Sequence, residues 1–165
     1  MGRHRITINS SADWAKAADE IEQIAKQYER GLDEACKEIA EAGRNEAASR
    51  YVAHSSDGNN AVSTSVVRNG NADYNVSAEG SDLYFNEFGA GISTDTAHPY
   101  ASGANVTIAP GSYSSSSEGT GQFARNGFWW WNRRRYEGIV PSRALYNARN
   151  YMESKVTEIV RRCFK

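Results

Sequence analysis

The sequence predicts an α+β domain in which a long N-terminal helix and a C-terminal helix pack on an antiparallel β-sheet. Apolar residues recur at helical spacing from about residue 11 to 54 and again from about 141 to 164. Between them lie an alternating stretch at about 61–79 and a glycine- and serine-rich tract at about 93–127. Helices at the two ends of the strands, rather than alternating with them, are typical of this class. At 165 residues, the chain is long enough for a single domain with its own core.

The N-terminal segment predicts a short strand followed by a long helix. RHRITI at 3–8 has strand character, and Asn9, Ser10 or Ser11 is suited to cap the helix that follows. An unbroken helix of the predicted length is about 60 Å long. Its apolar residues return every three, four or seven positions, at Trp14, Ile21, Ile24, Tyr28, Leu32, Ala35, Ile39, Ala42 and Ala47.

Two features of this helix bear on assembly. Gly31 and Gly43 are candidate kink positions, and each costs about 1 kcal/mol relative to alanine inside a helix. Many inward residues are alanine, which permits close approach of a second backbone. The apolar face is therefore expected either to meet a partner subunit or to lie across the chain's own sheet, and the pattern leaves both open.

The middle of the chain predicts a β-hairpin and a long loop. The alternation at 61–79 is interrupted by Asn69-Gly70-Asn71, and asparagine and glycine tolerate the positive φ of a tight hairpin turn. The tract at 93–127 is too polar to build a core. We expect it to be a long loop, and loops of that length are either functional or partly disordered.

The segment FWWWNRRRY at 128–136 predicts a strand that is aromatic on both faces. Since three adjacent tryptophans in a strand do not share one face, we expect Trp130 to pack beneath the helices. Trp129 or Trp131 would then anchor a contact between subunits, because tryptophan and arginine are enriched in interface hot spots. The alternatives are burial of all three tryptophans in one protomer and nucleic-acid binding by this strand and its arginines.

The last segment predicts an amphipathic helix. Pro141 suits the first turn of a helix, where its missing N–H is not needed. Basic residues in the last turn complement the helix dipole. The apolar stripe consists of Leu145, Ala148, Met152, Val156, Ile159 and Cys163.

Composition argues against several classes of protein. The 19 basic and 20 acidic residues nearly cancel, so the whole molecule has no charge excess to steer it to DNA. The part from Arg125 onward is basic, with ten Lys or Arg against three Glu, whereas residues 10–46 are net acidic. Cys36 and Cys163 are expected to be buried thiols in a reducing compartment. With no signal sequence and no apolar run of about 20 residues, we expect a soluble protein with no membrane partner.

The sequence offers little for catalysis. Its three histidines form no HExxH motif and no pair with cysteine, so no metal site is expected. GAGISTDT lacks the lysine of a phosphate loop and the spacing of a dinucleotide-binding turn, so no cofactor is expected either. A hydrolase using Glu87 with His98 is the one catalytic hypothesis, and it requires these residues to converge. We therefore expect no enzymatic activity and no catalytic residue.

The second half contains LYFNEFGAGI at 83–92, HPY at 98–100, the tryptophan stretch and then YEGIVPSRALYN at 136–147. This series resembles the gene-10-like tail-component family of lambdoid and related tailed phages. Members show an aromatic residue and glutamate before Phe-Gly-Thr-Gly, then His-Pro, an aromatic strand, and Gly-x-x-Pro before a terminal helix. The usual threonine is Ala90 here, and RALY replaces the second proline with Phe-Met. The matching residues are Glu87, Phe88, Gly89, Gly91, His98, Pro99, Trp129 to Trp131, Gly138, Pro141, Ala144, Leu145, Tyr146 and Asn147.

This resemblance implies a structural virion protein, assembled in the host cytoplasm and located at the neck or the head-proximal end of the tail. Such a subunit forms a ring of about six copies. The ring joins a head-closure or connector protein to a tail terminator or tail-tube protein, and genomic DNA passes through its lumen without sequence specificity. The residues expected at its contacts are Glu87, Phe88, Gly89, Gly91, Trp129, Trp131, Arg133, Arg134, Arg135, Pro141 and Tyr146.

Overall fold

The computed structural model of the chain describes residues 11–54, 62–80, 83–91, 95, 98–99, 122–123, 129–131, 134–136 and 138–164. The expected strand at 3–8 and most of the expected loop at 93–127 lie outside these residues. The elements, in chain order, are α1 (Ser11–His54), β1 (Ser63–Gly70), β2 (Asp73–Glu79), α2 (Leu83–Phe88), β3 (Ala90–Gly91), β4 (Gln122–Phe123), β5 (Trp129–Trp131), β6 (Arg134–Tyr136), β7 (Gly138–Ile139) and α3 (Ala144–Cys163). The α+β class predicted from the sequence is confirmed.

Helix α3 packs antiparallel along the second half of α1. The α1 backbone is helical through both glycines, and each lies where α3 comes close. A Cβ atom placed on Gly43 would be 2.3 Å from Met152 Sδ, and one placed on Gly31 would be 3.1 Å from Phe164 Cε1. The glycines therefore admit bulky side chains of α3.

Strands β1 and β2 form an antiparallel hairpin in which Val66 pairs with Val76. Gly70 pairs with Asp73, so the turn is at Asn71 and Ala72, one residue later than the sequence suggested. Ala72 has a φ of 54°, a left-handed conformation that normally costs a residue with a Cβ about 1–2 kcal/mol. The turn is held by α1, because Ala72 N donates a 2.9 Å hydrogen bond to Asp33 Oδ1.

Asp33 fastens the hairpin to α1. Its carboxylate also accepts hydrogen bonds from Tyr74 Oη at 3.1 Å and from Arg68 Nη2 at 3.0 Å. The Ala72 backbone hydrogen bond is the main cause that lowers the pKa of Asp33 below its ordinary 3.8. Desolvation, the next-largest effect, opposes it, and the Tyr74 hydrogen bond and the Arg68 charge lower the pKa further.

The stabilisation by Asp33 is expected to depend on pH. Because its folded pKa is lowered, its contribution is fully present above the ordinary value of 3.8 and is lost as pH falls through the folded pKa. Urea midpoints of the native chain and Asp33→Ala should therefore differ at neutral pH and converge in stronger acid. Glu34→Ala, an exposed neighbour, is the control; a difference that persists unchanged in acid contradicts this account.

The remaining β structure is divided among small sheets. Strand β3 pairs with β7, and β5 lies between β4 and β6. The segment 128–136, expected to be one strand, contains the two antiparallel strands β5 and β6, with Trp131 paired to Arg134. Two adjacent antiparallel strands place tryptophans across from arginines, which a single extended strand does not.

Alanine makes up six of the ten buried apolar residues in the described part of the chain. The core lies where the end of α1 meets the start of α3 and the base of the hairpin, and Tyr51 is its only fully buried large side chain among the described residues. Partly buried Ala78, Leu83 and Leu145 pack around it. The core cluster consists of Ala47, Tyr51, Val62, Ala144 and Ala148.

Candidate functional site

Several residues that carry the family resemblance meet at the junction of α1, α2 and α3, which we call the Glu87 cluster (Tyr51, Glu87, His98, Leu145 and Tyr146). Glu87 is 4% exposed. Its carboxylate accepts hydrogen bonds from Tyr51 Oη at 3.1 Å, Leu145 N at 3.0 Å and Tyr146 N at 3.1 Å. One carboxylate on α2 thus joins all three helices.

Glu87 caps α3 from a position 58 residues away in the chain. The first amides of a helix have no partner within it. The residue at the cap position, Arg143, makes no side-chain cap hydrogen bond. Ser142 Oγ accepts from Ala144 N at 3.2 Å, and Glu87 accepts from the next two amides. A carboxylate at this end also complements the helix dipole.

The chain just before α3 is held in an unusual conformation. Arg143 has a φ of 50°, a left-handed conformation that is costly for a residue with a side chain. Its Nε donates to Asp95 Oδ2 at 2.5 Å, which raises the pKa of the guanidinium. Ser142 N also donates to Asn86 O at 2.6 Å. These contacts direct the α3 amides toward Glu87.

His98 closes the other side of the Glu87 cluster. It is 4% exposed, and its Nε2 lies 3.4 Å from Glu87 Oε1. Its ring contacts Phe88 and Tyr146 edge-on, with centroids 4.5 Å and 5.7 Å apart. Gly89 has a φ of 75°, which lets the chain turn sharply after α2.

The electrostatics of this cluster favour a structural role. Burial, and then the negative charge and hydrogen bond of Glu87, raise the pKa of Tyr51 far above its usual range. Tyr51 therefore remains a protonated donor. The hypothesis of a hydrolase requires Glu87 and His98 to converge, and they do. However, both Glu87 oxygens already accept hydrogen bonds from the protein, which leaves the carboxylate poorly suited to act as a general base.

The other expected contact residues are distributed over the small sheets and the start of α3. Gly91 pairs with Gly138, and Pro141 is half-buried beside α3. The register places Trp129 against Tyr136 and Trp130 against Arg135. Arg133, and the side chains of Trp129, Trp131, Arg134 and Arg135, lie outside the described residues.

The first half of α1 carries an apolar surface that we call the α1 stripe: Trp14, Ala18, Ile21, Ala25, Tyr28 and Leu32. All six are exposed, and Trp14 and Ile21 retain 65% and 58% of their accessible surface. Sequence periodicity identified the large residues as part of an inward face. It did not reveal that these six positions are exposed in the protomer, whereas Ile24 is half-buried and neighbouring Ala17 is buried.

No protein-family model, curated protein or solved structure matches the chain. The resemblance to phage tail components therefore depends on the motif residues themselves.

Two further observations concern the chemistry of the described residues. Among them, no three His, Cys, Asp or Glu side chains are grouped as metal ligands, and no helix is long and apolar enough to cross a membrane. Cys36 and Cys163 are free thiols, and both are half-buried rather than fully buried as the sequence suggested. The pKa of Cys163 is raised, first by burial and then by Glu38 and Glu34, which favours the unreactive thiol.

Proposed function

We propose that this protein is a structural subunit of a tailed-phage virion, a neck or tail-completion protein that oligomerises into a ring between tail and head. Its partners would be further copies of itself, a head-closure or connector protein, and a tail terminator or tail-tube protein. Genomic DNA would pass through the lumen of the ring without sequence-specific contacts.

The distribution of apolar residues carries this proposal. Among the described residues, the core is built largely from alanine, whereas ten large apolar side chains are exposed. Soluble monomers rarely leave extended apolar surface in water, and such surface marks interaction sites. The ten are Trp14, Ile21, Tyr28, Leu32, Val52, Val67, Tyr84, Val140, Tyr151 and Val156.

Exposed apolar side chains lie toward both ends of α1. The α1 stripe occupies the first half of the helix, and Val52, Tyr84 and Val140 lie on the segments that meet near the Glu87 cluster. A closed ring requires each subunit to present two different patches, one to each neighbour. Two separated patches suit such a head-to-tail contact.

The Glu87 cluster supports the same proposal from inside the protomer. The motif residue Glu87 holds three helices together, because it accepts hydrogen bonds from Tyr51 on α1 and from the amides of Leu145 and Tyr146 on α3. Such a cluster stabilises a scaffold whose surfaces make the assembly contacts. It accounts for these motif residues by a structural role, without a catalytic one.

Native mass spectrometry of the full chain tests this function, alone and co-expressed with the products of the adjacent genes. We expect an assembly of uniform copy number, about six, in at least the co-expressed sample. Chains that stay monomeric in every mixture would contradict the proposal. Placement of the gene between those for a head-closure protein and a tail-tube protein would support it independently.

A second candidate function is nucleic-acid binding by strands β5 and β6. The observation that favours it is their register, which sets Trp130 opposite Arg135 and Trp131 opposite Arg134. Aromatic rings that stack on bases beside arginines that contact phosphates are typical of single-strand binding. Binding that weakens steeply with salt and is lost in Arg134→Ala/Arg135→Ala would favour this function; no retention on DNA at low salt would exclude it.

A further inference from the structure

The α1 stripe has the spacing of a coiled-coil seam. Its members follow one another at intervals of four and three residues, and all six are exposed. This is the repeat with which one helix packs along another. The three large residues Trp14, Ile21 and Tyr28 alternate with smaller Ala18 and Ala25, so the surface consists of ridges and notches.

The stripe continues a face of α1 that is already used for packing. From Gly31 onward α3 covers one side of α1 and ends beside the stripe: the rings of Tyr28 and Phe164 are stacked 5.7 Å apart, while Tyr28 and Leu32 remain 42% and 48% exposed. Toward the N-terminus the same helix runs on past the end of α3. The open stretch from residue 14 to 32 is about 27 Å long, which is enough for several turns of a second helix.

The ridges and notches match themselves when the helix is reversed. If residue 21 of one copy is placed opposite residue 25 of an antiparallel second copy, Ile21 faces Ala25. In the same alignment Tyr28 faces Ala18, and Trp14 faces Leu32. Each alanine notch thus receives a large side chain from the other copy, and close-packed interfaces require such matching of volume.

We propose that a second copy of this chain docks antiparallel on the α1 stripe and forms a twofold dimer through residues 14–32. In this arrangement the two protomer bodies lie at opposite ends of the paired helices, and the end of each α3, which packs beside Tyr28 and Gly31, lies level with residues 15–18 of the other copy. Near the twofold axis Glu22 of each copy approaches its equivalent. Lys26 Nζ, already 2.5 Å from Glu22 Oε1 in its own chain, supplies the compensating charge.

This dimer is distinct from the ring of the proposed function. A twofold contact uses the same patch on both copies, whereas a ring contact uses two different patches. The dimer is therefore the form of the free protein, in which the apolar stripe is covered until a ring neighbour replaces the second copy. Only that replacement step rests on the proposed function.

The variant Ala25→Leu distinguishes a dimer with matched packing from nonspecific hydrophobic association. The substitution adds apolar surface at an exposed helical position. If the chains associated by nonspecific hydrophobic contact, this variant would therefore dimerise more tightly. Filling the notch that receives Ile21 should instead weaken the dimer by about tenfold or more. Sedimentation equilibrium of the full-length variants measures the change. Gln27→Leu, exposed on the same stretch of helix but outside the stripe, is the matched control and should leave the dimer constant unchanged.

Disulfide trapping tests the register. In a chain with Cys36 and Cys163 replaced by alanine, Ala18→Cys and Tyr28→Cys are made in separate copies. Mixed and briefly oxidised, the two variants should cross-link to each other, while each alone should not, since the alignment places residue 18 about 15 Å along the axis from its equivalent. Circular dichroism confirms that each variant is folded.

Three outcomes would contradict the proposed dimer. They are tighter association of Ala25→Leu, cross-linking of Ala18→Cys or Tyr28→Cys with itself as readily as with the other variant, and absence of cross-linking when the two are mixed. If rings form with neighbouring gene products while these tests fail, only the dimer is wrong. If neither rings nor dimers form, both the dimer and the proposed function are wrong.

Discussion

Replacing Glu87 with alanine is expected to lower the free energy of unfolding by about 3–5 kcal/mol, the cost of leaving buried polar partners without their charged acceptor. The Tyr51 hydroxyl and the amides of Leu145 and Tyr146 would all lose the same carboxylate. These donors lie where three helices meet, so the substitution should loosen the start of α3. Urea denaturation followed by circular dichroism measures the loss.

Two variants make the Glu87 result specific. Glu20→Ala removes an exposed carboxylate from α1 and should change stability by less than about 0.5 kcal/mol. Tyr51→Phe removes only one of the three hydrogen bonds and should cost about 1–3 kcal/mol. If Glu87→Ala lowered the free energy of unfolding by less than about 1 kcal/mol, the capping role would be contradicted. The carboxylate would then be a candidate functional acid or base.

Gly43→Leu is expected to destabilise the chain by about 2–3 kcal/mol, because overpacking a filled interface displaces its neighbours. Even a single Cβ atom at this position would lie 2.3 Å from Met152 Sδ and 2.6 Å from Met152 Cγ. The steric cost should exceed the helix propensity that leucine gains over glycine, about 1 kcal/mol. Urea denaturation again provides the measurement.

The partner residue supplies the control for Gly43. Met152→Ala should remove the obstruction, so the double variant should be more stable than the sum of the two single losses predicts. Asn45→Leu, an exposed position on the same helix, should have little effect. Strictly additive losses would show that Gly43 and Met152 do not share one space.

The elements that repeat with a clear period could be predicted from the sequence. The two helices follow from apolar positions three and four residues apart, and the hairpin follows from alternation around asparagine and glycine. The hairpin turn is displaced by one residue because Asp33 of α1 binds the amide of Ala72, a contact 39 residues away in sequence. The residue preferences within the turn do not predict a contact with a distant helix.

The Glu87 cluster could be predicted only in part. The hydrolase hypothesis required Glu87 and His98 to converge, and His98 Nε2 lies 3.4 Å from Glu87 Oε1, but no spacing in the sequence indicated that proximity. The capping of α3 was not predictable, because the usual signal is a polar residue at the cap position itself, and Arg143 occupies that position here. The exposure of the α1 stripe was also beyond sequence reasoning, since periodicity shows that a face is apolar but not which part of it is covered.

Immunogold labelling of tailed-phage particles purified from cells that carry this gene tests the proposed place of the chain in the virion. We expect label at the junction of head and tail in intact particles, with about six copies per virion by quantitative mass spectrometry. Particles that carry no label at that junction, while the chain is abundant in the lysate as a free protein, would contradict it.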